Sequence, residues 1–452
     1  MSIIKRIRKK QNIKFLEKHP AFCVLAFAHL RVQITNYDVW EDQMKGRVGS
    51  LCCSALDPVE VELNDSLNDI IQHENFKQDR EMFYADKLPP SCENVCSLNY
   101  KNTTKREIVN EVHIDTISYK KVFKQPKLKV IDYNFGNECN LACRMCSAGS
   151  SNQIAVLASK AVSSIDNTTK LIEFGINDLE QQGDIEKNIE NLKNGVFLRR
   201  SVPSDQEAIK EALPNLNELQ FAGGEPFVSK DVEDILLAAI ETGDNKHINL
   251  EITTNGTKFV EEKLDIFLKF KTVNFIVSID GVNSTYDYIR SPFKFSLIEK
   301  RLKGIVDYII KNNLENKVKF HFACIGILYN LYDYEKLYSF LNDIFGTITT
   351  DTEPVSMIIM DAYGTHDDAH ALSWNNIPND LLNDALFSYK DTQDDWYLKF
   401  KEYVINRTQN AQPKGILYAK EHTLLLDNLH GRNYQDYLDL RIIKYIDSIS
   451  TK

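Results

Sequence analysis

Glu138-Cys139-Asn140-Leu141-Ala142-Cys143-Arg144-Met145-Cys146 carries three thiols, separated by three and then two residues, directly after the apolar run Val130 to Phe135. A closed structural zinc site takes four nitrogen or sulfur ligands, and a [4Fe–4S] cluster also presents four irons. The loop therefore leaves one metal position without a local ligand. If a substrate or cofactor fills it, the metal does chemistry. If a distant residue fills it, the metal holds the fold. Spacing alone leaves both open.

A second stretch, Phe221-Ala222-Gly223-Gly224-Glu225-Pro226, ends another apolar run that begins at Leu216. Paired glycines let the backbone turn tightly and approach a ligand closely, and Glu225 adds an acceptor. With both stretches in this order the chain resembles the radical S-adenosylmethionine (SAM) enzymes, whose signature is a CxxxCxxC loop after the first barrel strand and a GGEP-type turn after the second. The resemblance implies that Cys139, Cys143 and Cys146 hold a [4Fe–4S] cluster whose unique iron binds SAM. It implies that Gly223, Gly224, Glu225 and Pro226 form the turn that meets the methionine amine.

Two further corners extend the likeness, Glu251-Ile252-Thr253-Thr254-Asn255-Gly256 and Ser278-Ile279-Asp280-Gly281, each closing a β-branched run. In the family such corners contact the ribose or the carboxylate of SAM, which points to Thr254, Asn255, Ser278 and Asp280. Arg290 joins them because a guanidinium donates two parallel hydrogen bonds to a carboxylate. Met145 stands where the family often has an aromatic near the adenine, and a polarisable thioether also packs against a ring.

Composition frames these motifs. The chain has 452 residues, 43% hydrophobic and 26% charged, a soluble globular balance long enough for two or three domains. No apolar stretch reaches the roughly 20 residues of a spanning helix. Lys5 to Lys10 followed by Ala21 to Ala28 is not read as a signal peptide, because Glu17, Lys18, His19 and Pro20 separate the two and Cys23 lies inside the apolar run. A net charge of −10 argues against general nucleic-acid binding. Nine cysteines without a signal point to a reducing, cytoplasmic setting and to metal ligation rather than disulfides.

Five of those cysteines, Cys23, Cys52, Cys53, Cys92 and Cys96, precede the signature loop. Together with Ser66 to Ile71 and Glu74-Asn75-Phe76 they resemble the SPASM/twitch auxiliary-cluster module, here ahead of the barrel. The resemblance implies Cys23, Cys52, Cys92 and Cys96 as ligands of an auxiliary [4Fe–4S] cluster, with Cys53 as the alternate to Cys52. The closing pair is CxxxC where the module would have CxxC, and zinc accepts the same four thiolates.

The expected fold class is α/β: a partial (β/α)6 barrel of the TIM type at 121–365, a cysteine-rich SPASM/twitch-like module at 1–120, and a helical C-terminal extension at 366–452. Strand-like runs at Val130–Phe135, Glu218–Phe221, Ile248–Thr253, Phe275–Ile279, Val318–Ile327 and Val355–Met360 alternate with helix-period segments such as Val232–Ala239, Glu262–Phe270 and Leu297–Ile310, the pattern of parallel βαβ units. Helices are also expected at Ser150–Ser163, Asn167–Gln182, Asp184–Asn194, Leu381–Tyr389, Trp396–Ile405 and Tyr434–Ile449. Leu424 to Arg432 reads as a helix end with a glycine cap, or as a charged pair contributed to the barrel mouth. His366-Asp367-Asp368-Ala369-His370 reads as a polar loop, and Cys324 as a small buried residue.

The resemblance implies a mechanism. One electron from the reduced cluster breaks the C5′–S bond of SAM, and the 5′-deoxyadenosyl radical takes a hydrogen atom from the substrate, shielded from solvent. The auxiliary cluster would transfer electrons, and a one-electron reductant such as ferredoxin or flavodoxin would supply them. No winged-helix leader-binding segment reads ahead of the module, so peptide and small-molecule substrates both stand. The alternative is a non-catalytic iron–sulfur or zinc protein that binds or senses redox state on the same fold.

Overall fold

The computed structural model describes residues 3–34, 47–52, 59–61, 65–90, 92, 96, 105–162, 194–195, 203–348, 356–361, 372–374, 377–389, 397–398, 400–402, 404–405 and 416–449. Cys53, the helix expected at Asn167–Gln182, the one at Asp184–Asn194 apart from its last residue, residues 396, 399 and 403 of Trp396–Ile405, and His366 to His370 lie outside them.

Nine strands form one sheet: β1 His29–Ile34, β2 Arg47–Ser50, β3 Val59–Val61, β4 Val130–Asn134, β5 Glu218–Ala222, β6 Asn249–Thr254, β7 Thr272–Ser278, β8 Val318–Gly326 and β9 Ser356–Asp361. Their spatial order is β3-β2-β1-β4-β5-β6-β7-β8-β9. From β4 to β9 every neighbouring pair is parallel and follows chain order, as expected for a partial (β/α)6 barrel.

Side-chain alternation explains the packing. Leu219 and Phe221, Leu250 and Ile252, and Val273, Phe275 and Val277 are buried, while the residues between them are half-buried. The buried set packs with connecting helices in one aromatic chain, Phe227 to Phe267 at 4.3 Å, Phe259 to Phe275 at 5.2 Å and Phe320 to Phe345 at 4.8 Å between ring centroids. Each such ring buried from water stabilises by about 1.5–3 kcal/mol.

The helix Lys230–Thr242 illustrates why these crossovers form. Val232, Ile235, Leu236 and Ala239 fall on one buried face, Ser229 caps the start by accepting from Val232 N–H, and Gly243 ends it at φ 80°. Phe295–Lys311 follows the same pattern with Ile298, Leu302, Ile305 and Ile309 buried.

The N-terminal segment is part of this sheet. β1 pairs in parallel with β4, His29 opposite Val130 through Gln33 opposite Asn134, and β2 and β3 follow as antiparallel strands. The reason is the same alternation: Leu30 and Val32 are buried in the same core as Ile131 and Tyr133. The parallel run is thereby seven strands long. At the other end of the chain, the expected Tyr434–Ile449 helix divides into a 3-10 turn at Tyr434–Asp436 and a helix at Leu440–Ser448 started by Asp439. Among the described residues no helix is long and apolar enough to cross a membrane.

Candidate functional site

The three signature cysteines lie on the loop that leaves the C-terminal end of β4, bounded by Phe135 and the helix Asn152–Val162. Local hydrogen bonds close this loop on itself. Cys139 N–H donates to Asn152 Oδ1 at 3.0 Å, Asn137 Nδ2 to the Ala148 carbonyl at 2.8 Å, and Ser151 Oγ to the Leu141 carbonyl at 2.6 Å. Its far side lies along residues 289–291, where Ala142 N–H donates to Ser291 at 2.7 Å and Arg144 N–H to Ile289 at 3.0 Å.

The paired glycines have a structural reason beyond ligand approach. Gly224 N–H donates to the Gly136 carbonyl at 2.9 Å and Glu225 N–H to the Glu138 carbonyl at 2.7 Å, so the turn after β5 lies directly on the cysteine loop. A Cβ on Gly224 would stand 2.1 Å from the Glu138 carbonyl oxygen. Gly223 sits at φ 132°, where a side chain is strained.

Glu225 is fully buried and turned toward the end of β6. Its carboxylate accepts from Thr254 Oγ1 and Asn255 N–H, both at 2.7 Å, and from Phe227 N–H at 3.2 Å. Burial pushes its pKa up to about 7 against those three donors. The Glu225 side chain thus ties the glycine turn to the next strand end, while Pro226 is buried behind it.

Asn255 carries the connection back to the cysteines. Its Nδ2 donates to Asn140 Oδ1 at 3.0 Å and approaches Cys139 Sγ at 3.9 Å, and Leu141 N–H points at the same sulfur at 3.5 Å. Arg290 serves Cys143 in the same way, with Nη1 3.9 Å from its Sγ. The other edge of that guanidinium is held by Asp280 at 2.6 Å. Asp280 in turn accepts from Ile325 N–H at 2.8 Å. Arg290 therefore stands at the cysteine loop with one edge on Asp280, an arrangement that the carboxylate-binding expectation did not include. Ser278 and Met145 are half-buried near the same strand ends.

Arg144 escaped the sequence reading. It lies between two of the signature cysteines, is 1% exposed, and its guanidinium stacks 3.6 Å over the Tyr288 ring. Nε donates to the Tyr288 carbonyl at 2.9 Å and Nη2 to Asp427 at 2.7 Å. Asp427 belongs to the Leu424 to Arg432 stretch, where the helix Ile416–His430 is followed by Gly431 at φ 63° and Asp427 pairs with Arg144. The signal was available in the one basic residue between Cys139 and Cys146, but its partner is 283 residues away.

The donor set fits an iron–sulfur cluster. Cys143 and Cys146 are within hydrogen-bond reach of one another, and that contact, with burial, holds the Cys143 thiol well above its ordinary pKa. Burial likewise pushes Cys139 up to about 12, so metal binding must displace its proton. Hydrogen-bond donors and a guanidinium aimed at the sulfurs are the means by which proteins stabilise reduced clusters. Among the described residues no group of three or more His, Cys, Asp or Glu converges as tightly as one metal ion requires. A cubane, with four separate irons, spreads its thiolates wider than one tetrahedral ion does.

At the other end of β1, the Cys23 thiol is pushed up to about 12 by burial, and Cys92 and Cys96 interact with it electrostatically. Cys52 is half-buried against the same core. No disulfide joins any described cysteine. Cys324 is fully buried in β8, where Asn330 Nδ2 approaches its sulfur at 3.6 Å.

Residues 133–341 match the family model described as the Radical SAM superfamily, from β4 to the helix Tyr334–Phe345. The chain carries a radical SAM domain. No curated protein matches the chain. Among solved structures, native anSMEcpe with bound AdoMet is similar at 16% identity over 66% of this chain and 67% of that one, with a TM-score of 0.34. Streptococcus suis SuiB bound to precursor peptide SuiA is similar at 16% identity over 66% and 57%, with a TM-score of 0.30. The same protein bound to S-adenosylmethionine gives 15% identity over 76% and 65%, with a TM-score of 0.31. A radical SAM domain implies a [4Fe–4S] cluster and SAM. Cys23, Cys52, Cys92, Cys96, Arg144's partner Asp427 and the whole of β1 lie outside the matched residues.

Proposed function

We propose that this protein is a radical SAM enzyme that reductively cleaves S-adenosylmethionine and uses the 5′-deoxyadenosyl radical to take a hydrogen atom from a peptide or small-molecule substrate. The observation that carries this reading is the set of three cysteines on one closed loop, with Asn255 and Arg290 aimed at two of their sulfurs. Cys139, Cys143 and Cys146 would hold the cluster, and when bound it supplies the electron that opens SAM.

The chain's own residues have definable tasks. Gly223 and Gly224 seat the turn against the cysteine loop, and Glu225 locks that turn to Thr254 and Asn255, so three strand ends share one geometry. Ser278, Asp280, Arg290 and Met145 complete the rim that would take SAM. Arg290 and Asn255 stabilise negative charge on the sulfurs, which favours the reduced cluster.

Cys23, Cys52, Cys92 and Cys96 would carry an auxiliary [4Fe–4S] cluster that exchanges electrons with the substrate, in a SPASM/twitch-like segment at 1–120 ahead of a barrel at 121–365 and a helical extension at 366–452. The electrostatic grouping of Cys23 with Cys92 and Cys96 supports that assignment. The reductant would be a small one-electron carrier such as ferredoxin or flavodoxin, and the setting the cytoplasm, where thiols stay reduced.

The test is anaerobic reconstitution with iron and sulfide, followed by measurement of 5′-deoxyadenosine formed from SAM with dithionite. Product that disappears in the Cys139/Cys143/Cys146 triple-alanine variant supports the reading. A protein that binds only zinc overturns it, because zinc has no redox state to donate from.

A further inference from the structure

We infer that the helix Ile416–His430, outside the residues that match the radical SAM family, is a working wall of the cluster site, and that Asp427 is the residue through which it positions and charge-balances the cysteine loop. The inference rests on the radical SAM reading for its electrochemical part only.

The geometry is that of a buried lock. Arg144 follows Cys143 directly, and its side chain has no solvent exposure. Its charge meets one carboxylate among the described residues, Asp427, whose Oδ1 takes both Arg144 Nη2 at 2.7 Å and Tyr288 hydroxyl at 2.8 Å. The second oxygen, Oδ2, accepts from Tyr434 N–H at 2.6 Å, so the carboxylate is held on both sides. The same helix is fastened a turn earlier, where Thr423 meets the Tyr329 hydroxyl at 2.8 Å, and just beyond its end, where Arg432 reaches the Asp287 carbonyl.

The other groups facing Arg144 cannot take over the balance. His430 has its pKa pushed down to about 4 by burial, with Arg144 and Arg432 adding to the effect, so it is neutral at physiological pH. Tyr288 and Tyr329 are pushed upward by burial and stay protonated. Removing one partner of a buried pair leaves the other charge uncompensated, which is a large perturbation in a low-dielectric interior. Here the stranded charge would sit one residue from a cluster ligand.

Asp427→Asn keeps the shape and one acceptor oxygen for Arg144 and Tyr288, turns its amide NH2 toward Tyr434 N–H, and strands the Arg144 charge. Arg144→Gln with Asp427→Asn removes both charges. Amide exchange across residues 139–147 of the apoprotein, and the midpoint potential of the reconstituted cluster, are measured in the wild type and in both variants. We expect at least tenfold faster exchange in D427N and a tenfold shift of the reduction equilibrium toward the reduced cluster, about 59 mV upward for a one-electron couple. In the double variant the potential returns to within a few millivolts of wild type. Unchanged exchange and potential in D427N, with only a lower melting temperature, would overturn the inference and leave Asp427 as ordinary core. Should D427N not fold, Asp427→Glu replaces it: faster exchange at wild-type potential supports the lock, and wild-type values of both refute it. A wild-type protein that takes up no iron would count against the radical SAM reading instead, and the apoprotein exchange would still decide the positioning role.

Discussion

Glu225 gives the sharpest test of how the strand ends are held together. It is fully buried, and its pKa rises from the ordinary glutamate range to about 7 because burial outweighs three hydrogen-bond donors. Its unfolded value is about 4.3. Between those values the folded state binds one more proton than the unfolded chain. Stability from this group is therefore fully present below about pH 4.3 and lost as pH rises through 7. The slope is about 1.4 kcal/mol per pH unit, and the whole window is worth about 3–4 kcal/mol as an upper value. Glu225→Gln removes the titration. Its amide NH2 would also face Asn255 N–H, leaving that donor unpaired at a cost of about 1–3 kcal/mol. Urea unfolding of the apoprotein from pH 5 to 8, wild type beside E225Q, measures the difference. The wild type should lose stability relative to the variant by about 2–3 kcal/mol across that range. A gap between the two that does not change with pH would refute the reasoning, since it would mean that Glu225 is ionised throughout.

Gly224→Ala places a methyl 2.1 Å from the Glu138 carbonyl, so the cysteine loop must shift; iron retention after gel filtration should fall severalfold while far-UV circular dichroism is unchanged. Asp280→Asn leaves Arg290 fully buried without its carboxylate and should cost about 3–5 kcal/mol, read as a lower melting temperature of the apoprotein. The Cys139/Cys143/Cys146 triple-alanine variant should lose about four irons per chain while Cys23→Ala loses a different set, so that iron content separates the two sites. Equal losses from the two variants would argue for a single shared site.

Much of the fold was legible because its signals are local. Each of β4 to β9 follows an apolar run, and the helix Lys230–Thr242 carries its own cap, buried stripe and glycine stop. The cysteine loop and glycine turn were legible for the same reason: their meaning is carried by neighbours in sequence. Three features were not. β1 was expected within a separate module, yet it joins β4 across a separation of about a hundred residues, which no periodicity encodes. Arg290 was expected to face SAM, and its tie to Asp280 and approach to Cys143 depend on how residues 289–291 lie along the loop. Arg144 was passed over because a lone arginine in a loop is read as solvated until something distant is shown to bury it.

Those three features have a common origin. A six-stranded parallel sheet leaves an unpaired edge at its first strand, and an exposed edge is a hazard that proteins cover. β1 covers it here. At the opposite end the loop after β4 would be an exposed turn rich in thiols, and residues from three remote places hold it: Glu225 after β5 through the glycine turn, Arg290 after β7, and Asp427 from the C-terminal helix. Two of those supports lie inside the family match and one outside it. Inside the match, Asn255, which Glu225 holds, and Arg290 approach the sulfurs of Cys139 and Cys143, where such donors would favour a reduced cluster. The outside support bears on Arg144 alone, adding a negative charge where the others add donors. The cysteine loop is thus set by opposing electrostatic contributions from separate parts of the chain, so the potential of a cluster held there would shift through Asp427 without touching a residue that contacts a cysteine sulfur.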